Sequence, residues 1–157
     1  MRKISAFTLI ETLIYSAIVS GFVVLALVIT YQMIDFRDDL DAGRELYENQ
    51  RFLSQKINWV LSNVSVINSP AAGATGASVS VSKINHGSNP LVIDSLSGVA
   101  RLTIGGGAAT ALTNDYVTVS DLSFENLSFS GHSYIRAKAT LSNSRSSTTI
   151  DSLILIK

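Results

Sequence analysis

"RKISAFTLIETLIYSAIVSGFVVLALVITYQMI", residues 2–34, decides how the rest of the chain is read. Two cations, Arg2 and Lys3, precede an apolar run, and one acid, Glu11, stands inside its beginning. From Thr12 to Ile34 there is no formal charge. At about 1.5 Å per residue a helix of that run reaches about 35 Å, enough for a hydrocarbon core of about 30 Å. The run exceeds the apolar core of an ordinary secretory signal peptide. It is rich in β-branched residues (Ile14, Ile18, Val19, Val23, Val24, Val28, Ile29), which in water favour a strand. In lipid a lone segment satisfies its backbone only as a helix, so a helix is predicted.

Flanking charge sets the expected orientation. Arg2 and Lys3 lie before the run; Asp35, Asp38, Asp39 and Asp41 follow it, with Arg37 the nearby cation. The positive-inside rule places the N-terminus in the cytoplasm and the remainder outside. The simplest reading is a single-pass anchor. Glu11 strains it, because a charge at membrane depth costs roughly 2.5–3.5 kcal/mol. An interfacial position, from which the carboxylate snorkels to water, removes that strain.

"AFTLIETLIYSAIVSGFVVLAL", Ala6–Leu27, resembles the N-terminus of type IV pilins and type II secretion pseudopilins, and the word Phe7-Thr8-Leu9-Ile10-Glu11 carries the likeness. The resemblance is specific over residues 6–30 and becomes one of pattern only after residue 65. It implies a leader, 1–6, cut by a prepilin peptidase between Ala6 and Phe7, with methylation of the new Phe7 N-terminus. The family usually has Gly before the cut. Ala6 is the next smallest side chain and is expected to fit, with slower cleavage. The resemblance also implies an assembly role for Glu11 and Phe7. The Phe7 amine released by cleavage is cationic at neutral pH. In staggered, side-by-side helices the Glu11 of one subunit meets the Phe7 amine of its neighbour, a charge-assisted contact weakly screened in an apolar core. The implied partners are the peptidase, other pilin or pseudopilin subunits and an inner-membrane assembly platform.

Beyond the membrane run, Leu46, Gln50, Leu53, Ile57, Val60 and Val64 recur in steps of four and three, one helical face. Arg44 with Glu48, and Glu48 with Arg51, are spaced for surface ion pairs. No Pro occurs before Pro70, so one helix is predicted from about Thr8 to about Ser65, with Gly21 and Gly43 as its soft points. Its amphipathic half is expected to pack on the domain that follows. "NSPAAGATGAS", 68–78, is loop chemistry. Alternating strand runs follow at Val79–Ile84, 91–93, 99–104, 116–119, 122–129, 134–141 and 148–156, with 105–107 a turn and 130–133 and 142–147 hairpin loops. In 122–129 the apolar phase slips at Asn126, where a bulge or bend is expected. The predicted fold is α+β and pilin-like: assembly half of the helix 7–34, amphipathic half 35–66, and an extracytoplasmic antiparallel sheet domain, 67–157.

Chemistry is sparse. The chain has 157 residues, a formal net charge of +0 and no Cys, which excludes disulfides and thiolate sites and removes the basic surface that nucleic acid needs. His86 and His132 have no ligand partners at metal spacing, no G-x-S-x-G elbow occurs, and the glycines 105–107 precede no amphipathic helix. No cofactor and no catalytic residue is expected. Tyr116, Phe124, Phe129 and Tyr134 read as sheet packing, and the tripeptides Asn63-Val-Ser65 and Asn126-Leu-Ser128 as incidental acceptor patterns in regular structure. The lack of Cys, with the looser likeness of the sheet, tilts the expectation toward a minor pilin or pseudopilin. Two rivals remain at this level: a monomeric membrane-anchored β domain that binds a ligand, and a membrane-tethered enzyme.

Overall fold

The computed structural model describes residues 8–129 and 131–156. The predicted α+β class holds. One helix, α1 (Leu9–Val60), is followed by antiparallel strands β1 (Val64–Ser69), β2 (Thr75–Gly76), β3 (Val79–Lys83), β4 (Leu91–Leu96), β5 (Val99–Ile104), β6 (Thr110–Ala111), β7 (Thr118–Phe129), β8 (His132–Ser142) and β9 (Ser147–Ile156). The chain divides into two units, residues 1–40 and 41–157, and α1 runs through the division. Neither Gly21 nor Gly43 interrupts it.

In the second unit the strands of the expected antiparallel domain form two sheets. A five-stranded sheet has the order β1-β3-β4-β5-β6, and a four-stranded sheet the order β2-β7-β8-β9. Alternation supplies one buried face in each: Val79, Val81, Leu91 and Ile93 in the first, Phe124, Ile135, Ala137 and Leu141 in the second. These faces share a core with the predicted helix stripe, in which Leu46, Leu53, Ile57 and Val60 are all buried. Full burial of each large aliphatic side chain contributes about 1.5–3 kcal/mol. Polar side chains tie the helix to the sheet loops. Asn143 Nδ2 donates to the Ala42 carbonyl (2.8 Å), Asn114 Nδ2 to Glu45 Oε1 (2.7 Å), and Gln50 Nε2 to the Thr149 carbonyl (3.4 Å).

The helix stops earlier than its apolar spacing predicts. After Val60 the last turn tightens, with Ser62 N donating to the Trp59 carbonyl at 3.3 Å, and Asn63 turns left-handed (φ 52°). Asn tolerates that conformation as a helix terminator. The following Val64, Val66 and Ile67 are β-branched and enter β1. Val64 is buried as a strand residue, so its helical spacing from Val60 misled the reading.

The phase slip in β7 also lies elsewhere. The 12-residue strand is continuous through Asn126, and its pairing with β8 shifts between Ser120 and Ser123, where Asp121 has φ 53°. The bulge moves Leu122, Phe124 and Asn126 onto the buried face, leaving Leu127 half-buried and Phe129 73% exposed. Asn126 is thus a buried polar residue in phase. Its Nδ2 donates to the Pro70 carbonyl at 2.9 Å, and its backbone N–H and C=O bond Ala74 and Gly73. It fastens the loop before β2 to β7.

Gly98 closes the β4–β5 hairpin beside Ser97, both at positive φ (79° and 53°). A Cβ on Gly98 would stand 2.8 Å from Thr118 Cγ2, while its carbonyl accepts from Val119 N at 2.7 Å. This close approach joins the turn of one sheet to the first residues of β7 in the other.

Candidate functional site

The first unit is the apolar segment of α1. Its side chains from Leu9 to Phe36 stand exposed except for the half-buried Glu11; Leu9 is 81% exposed, and Ile10 and Phe22 are both 69% exposed. The helix is long and apolar enough to cross a membrane. Its Ser and Thr hydroxyls are satisfied within the helix. Thr12 Oγ1 donates to the Leu9 carbonyl (2.8 Å), Ser16 Oγ to Leu13 (2.9 Å), Ser20 Oγ to Ser16 (2.7 Å) and Thr30 Oγ1 to Ala26 (2.8 Å). None of these four therefore requires water, which is what an apolar surrounding demands.

Glu11 is the only formally charged side chain of the described residues before Asp35. It lies in the first turn of α1, which is opened by Thr8: its carbonyl accepts from Glu11 N (3.0 Å) and Thr12 N (3.3 Å). An acid there faces the positive end of the helix dipole, a favourable placement. Ala6 and Phe7, the expected processing residues, lie outside the described residues. The predicted Glu11–Phe7 contact joins two copies, and its Phe7 partner lies outside the described residues.

The remaining singled-out residues fall into place as follows. Phe124 is fully buried and Tyr134 half-buried, as sheet packing requires, but Tyr116 (75% exposed) and Phe129 project outward, correcting that reading for both. Asn126 lies in a strand with its side chain buried. Asn63 does not lie in regular structure, but in the turn between α1 and β1. His86 Nδ1 lies 3.0 Å from the Ser88 carbonyl, and its ring meets Trp59 edge-on at 6.1 Å. His132 pairs with Phe129 at the β7–β8 hairpin. Among the described residues no group of three His, Cys, Asp or Glu is placed to hold a metal ion. Arg44 pairs with Glu48 at 2.9 Å, as the spacing predicts.

Sequence reading missed a lysine that closes the end of α1. Lys83 is only 8% exposed. Its Nζ donates to the Trp59 carbonyl, lies 3.2 Å from Ser62 Oγ and sits 4.4 Å from the centre of the Trp59 ring. A cation at a helix C-terminus, over an indole face, is favoured by the dipole and by the ring quadrupole. Burial pulls the Lys83 pKa below its ordinary value. The unfolded chain then holds that proton more tightly, so this group's contribution to stability grows as pH rises toward the ordinary lysine pKa. The signal was present: Lys83 shares parity with Val79 and Val81, which puts it on the inner face of β3. Lys83→Ala is expected to lower unfolding stability by about 1–3 kcal/mol, through the lost cap, cation–π contact and packed stem. Chemical denaturation of the full chain measures it; an unchanged midpoint would remove Lys83 from this role.

No family model, curated protein or solved structure matches this chain.

Proposed function

We infer that the chain is a structural subunit, a minor pilin or pseudopilin, of a type IV pilus-like or type II secretion-like filament. It is held first in the cytoplasmic membrane with its N-terminus inside, then cut before Phe7 and assembled through the first unit of α1. The observation that carries this reading is the placement of Glu11: a lone carboxylate in the first turn of a helix whose next 23 residues carry no formal charge and whose Ser and Thr hydroxyls there bond internally. The resemblance of Phe7–Glu11 to the family's processing word supports it and supplies the partner for that charge, the Phe7 amine of a neighbour. A monomeric anchored domain is served equally well by the apolar helix but gives Glu11 no task.

Intact mass of the membrane-extracted chain tests the reading. The expected mass lacks residues 1–6 and carries one added methyl group. Retention of Met1 in cells with an active prepilin peptidase would sink it.

A further inference from the structure

Two tripeptides of the chain, Asn63-Val64-Ser65 and Asn126-Leu127-Ser128, have the acceptor pattern Asn-X-Ser with X other than Pro. The pattern by itself often arises by chance, but the fold treats its two copies in opposite ways. At the first, the middle residue is the buried one. Val64 is 5% exposed and packs in the core, while Asn63 before it and Ser65 after it are both exposed. Asn63 stands in the turn that ends α1, with φ 52°. Its backbone carbonyl accepts from Ile84 N at 2.9 Å, and its carboxamide makes no hydrogen bond among the described residues. The backbone is held and the amide nitrogen is open to solvent. Ser65 Oγ donates to the Ser82 carbonyl at 2.9 Å, an exposed bond on β1, which is an edge strand. Rotation about χ1 exchanges that bond for one to an incoming enzyme.

At the second tripeptide the burial is inverted. Asn126 is 5% exposed, and its Nδ2, the atom a transferase would modify, donates to the Pro70 carbonyl at 2.9 Å. Its backbone N–H and C=O are bonded to Ala74 and Gly73. Folding therefore closes this acceptor and leaves the first one open. A second feature lies beside Asn63. Val66, on the strand that Asn63 precedes, and Ile84, whose N–H bonds the Asn63 carbonyl, are each 55% exposed. Apolar residues on an uncovered edge strand invite pairing with another chain, and a bulky, hydrated group at the start of the strand would cover them.

We propose that Asn63 is an N-glycosylation site. The substrate class is a sugar activated as a diphosphate ester, carried on a polyprenyl lipid or on a nucleotide. In the transfer a bond forms from Asn63 Nδ2 to the anomeric carbon, while the bond from that carbon to the diphosphate oxygen breaks. The diphosphate leaves with the electron pair, and the amide gives up one proton to a base of the transferase. An amide nitrogen is a poor nucleophile, because its lone pair is shared with the carbonyl. The Ser65 hydroxyl, two residues on, is the group by which a transferase selects this amide among others. The assignment holds whether or not the chain enters a filament.

The full chain, purified from the membranes of the cells that naturally make it, is digested, and the peptides spanning Asn63 and Asn126 are analysed by mass. A sugar-sized increment is expected on the first and none on the second. An amidase that cleaves the sugar–Asn link, acting in heavy-oxygen water, is expected to place the isotope at position 63 alone. Asn63→Asp, which tolerates the left-handed turn, and Ser65→Ala are each expected to lose the increment completely. Ser65→Thr and Asn126→Gln are expected to keep it, and retention in Ser65→Thr shows that the loss in Ser65→Ala is one of recognition. An unmodified Asn63 peptide overturns the proposal, as does an increment that survives Asn63→Asp or Ser65→Ala. Blocking the synthesis of polyprenyl-linked sugars separates the donors: the increment disappears if the lipid carries the sugar and persists if the nucleotide does. Cleavage before Phe7 and its methylation alter a different peptide, so this assignment and the filament reading fail separately.

Discussion

Glu11→Val is expected to leave the chain fully inserted in the membrane and to remove it from filaments. Insertion becomes easier, because a carboxylate at membrane depth costs up to roughly 2.5–3.5 kcal/mol and valine costs nothing. Assembly loses a charge-assisted contact of about 1.5–3 kcal/mol per subunit, or about ten- to hundred-fold in each addition step. Such a loss at every step is enough to deplete the subunit from a fibre. The comparison to make is membrane-fraction abundance against filament-fraction abundance, for the parent chain, Glu11→Val and Glu11→Gln. Gln keeps the shape of Glu and drops the charge, so it separates an electrostatic contact from a packing one. Unaltered incorporation of Glu11→Val would refute the pairing and leave the apolar helix as an anchor alone.

Phe124→Ala is expected to lower the unfolding free energy by about 3–5 kcal/mol, a large part of the 5–15 kcal/mol that holds a typical domain. Phe124 is the largest fully buried side chain among the described residues. On β2 its cross-strand partner is Gly76, and on β8 it is Ala137. Two small neighbours make room for the ring, and neither has atoms to refill the space when the ring is removed. The cavity therefore persists, and persistent cavities give the high end of the range. Phe129→Ala, five positions along the same strand but exposed, is expected to change stability by less than about 0.5 kcal/mol. Denaturant midpoints of the three full-length chains, read by circular dichroism, make the test. Equal midpoints for Phe124→Ala and the parent would show that this core collapses around the loss.

The elements most legible in advance were those with long, unbroken periodicity. Residues 12–34 have only one way to satisfy their backbone in lipid, and the stripe from Leu46 to Val60 repeats often enough to name its buried face. Strands β5, β8 and β9 were legible because inward Ile, Ala and Leu alternate with Arg, Lys, Thr and Ser, whereas the two-residue β6 is too short to show any alternation. The errors sit where one side chain fits two periods. Val64 continues a helical stripe and also begins a buried strand, and the decision rests on Asn63 adopting a left-handed turn. In β7, the two apolar parities of Leu122–Phe124 and Leu127–Phe129 suggested a break between them. The bulge instead falls at Asp121, because burying Asn126 against Pro70 and Ala74 satisfies polar groups that the loop could not satisfy alone.

At the candidate site the division follows the same line. Residues 2–34 identify the apolar helix and its one acid without any coordinates, because hydropathy, charge order and a family's processing word are local properties of the chain. The pairing of the strands into two sheets, the Lys83 cap over Trp59 and the edge position of β9 are not local. Each depends on which residues distant in sequence arrive together: Lys83 at the end of α1, Gln50 at the start of β9, Gly98 against Thr118. Alternation tells which face of a strand is apolar, yet says nothing of which strand lies beside it or which edge is left uncovered. Those are properties of the assembled core, where the close packing of side chains selects among pairings that the local pattern leaves equivalent.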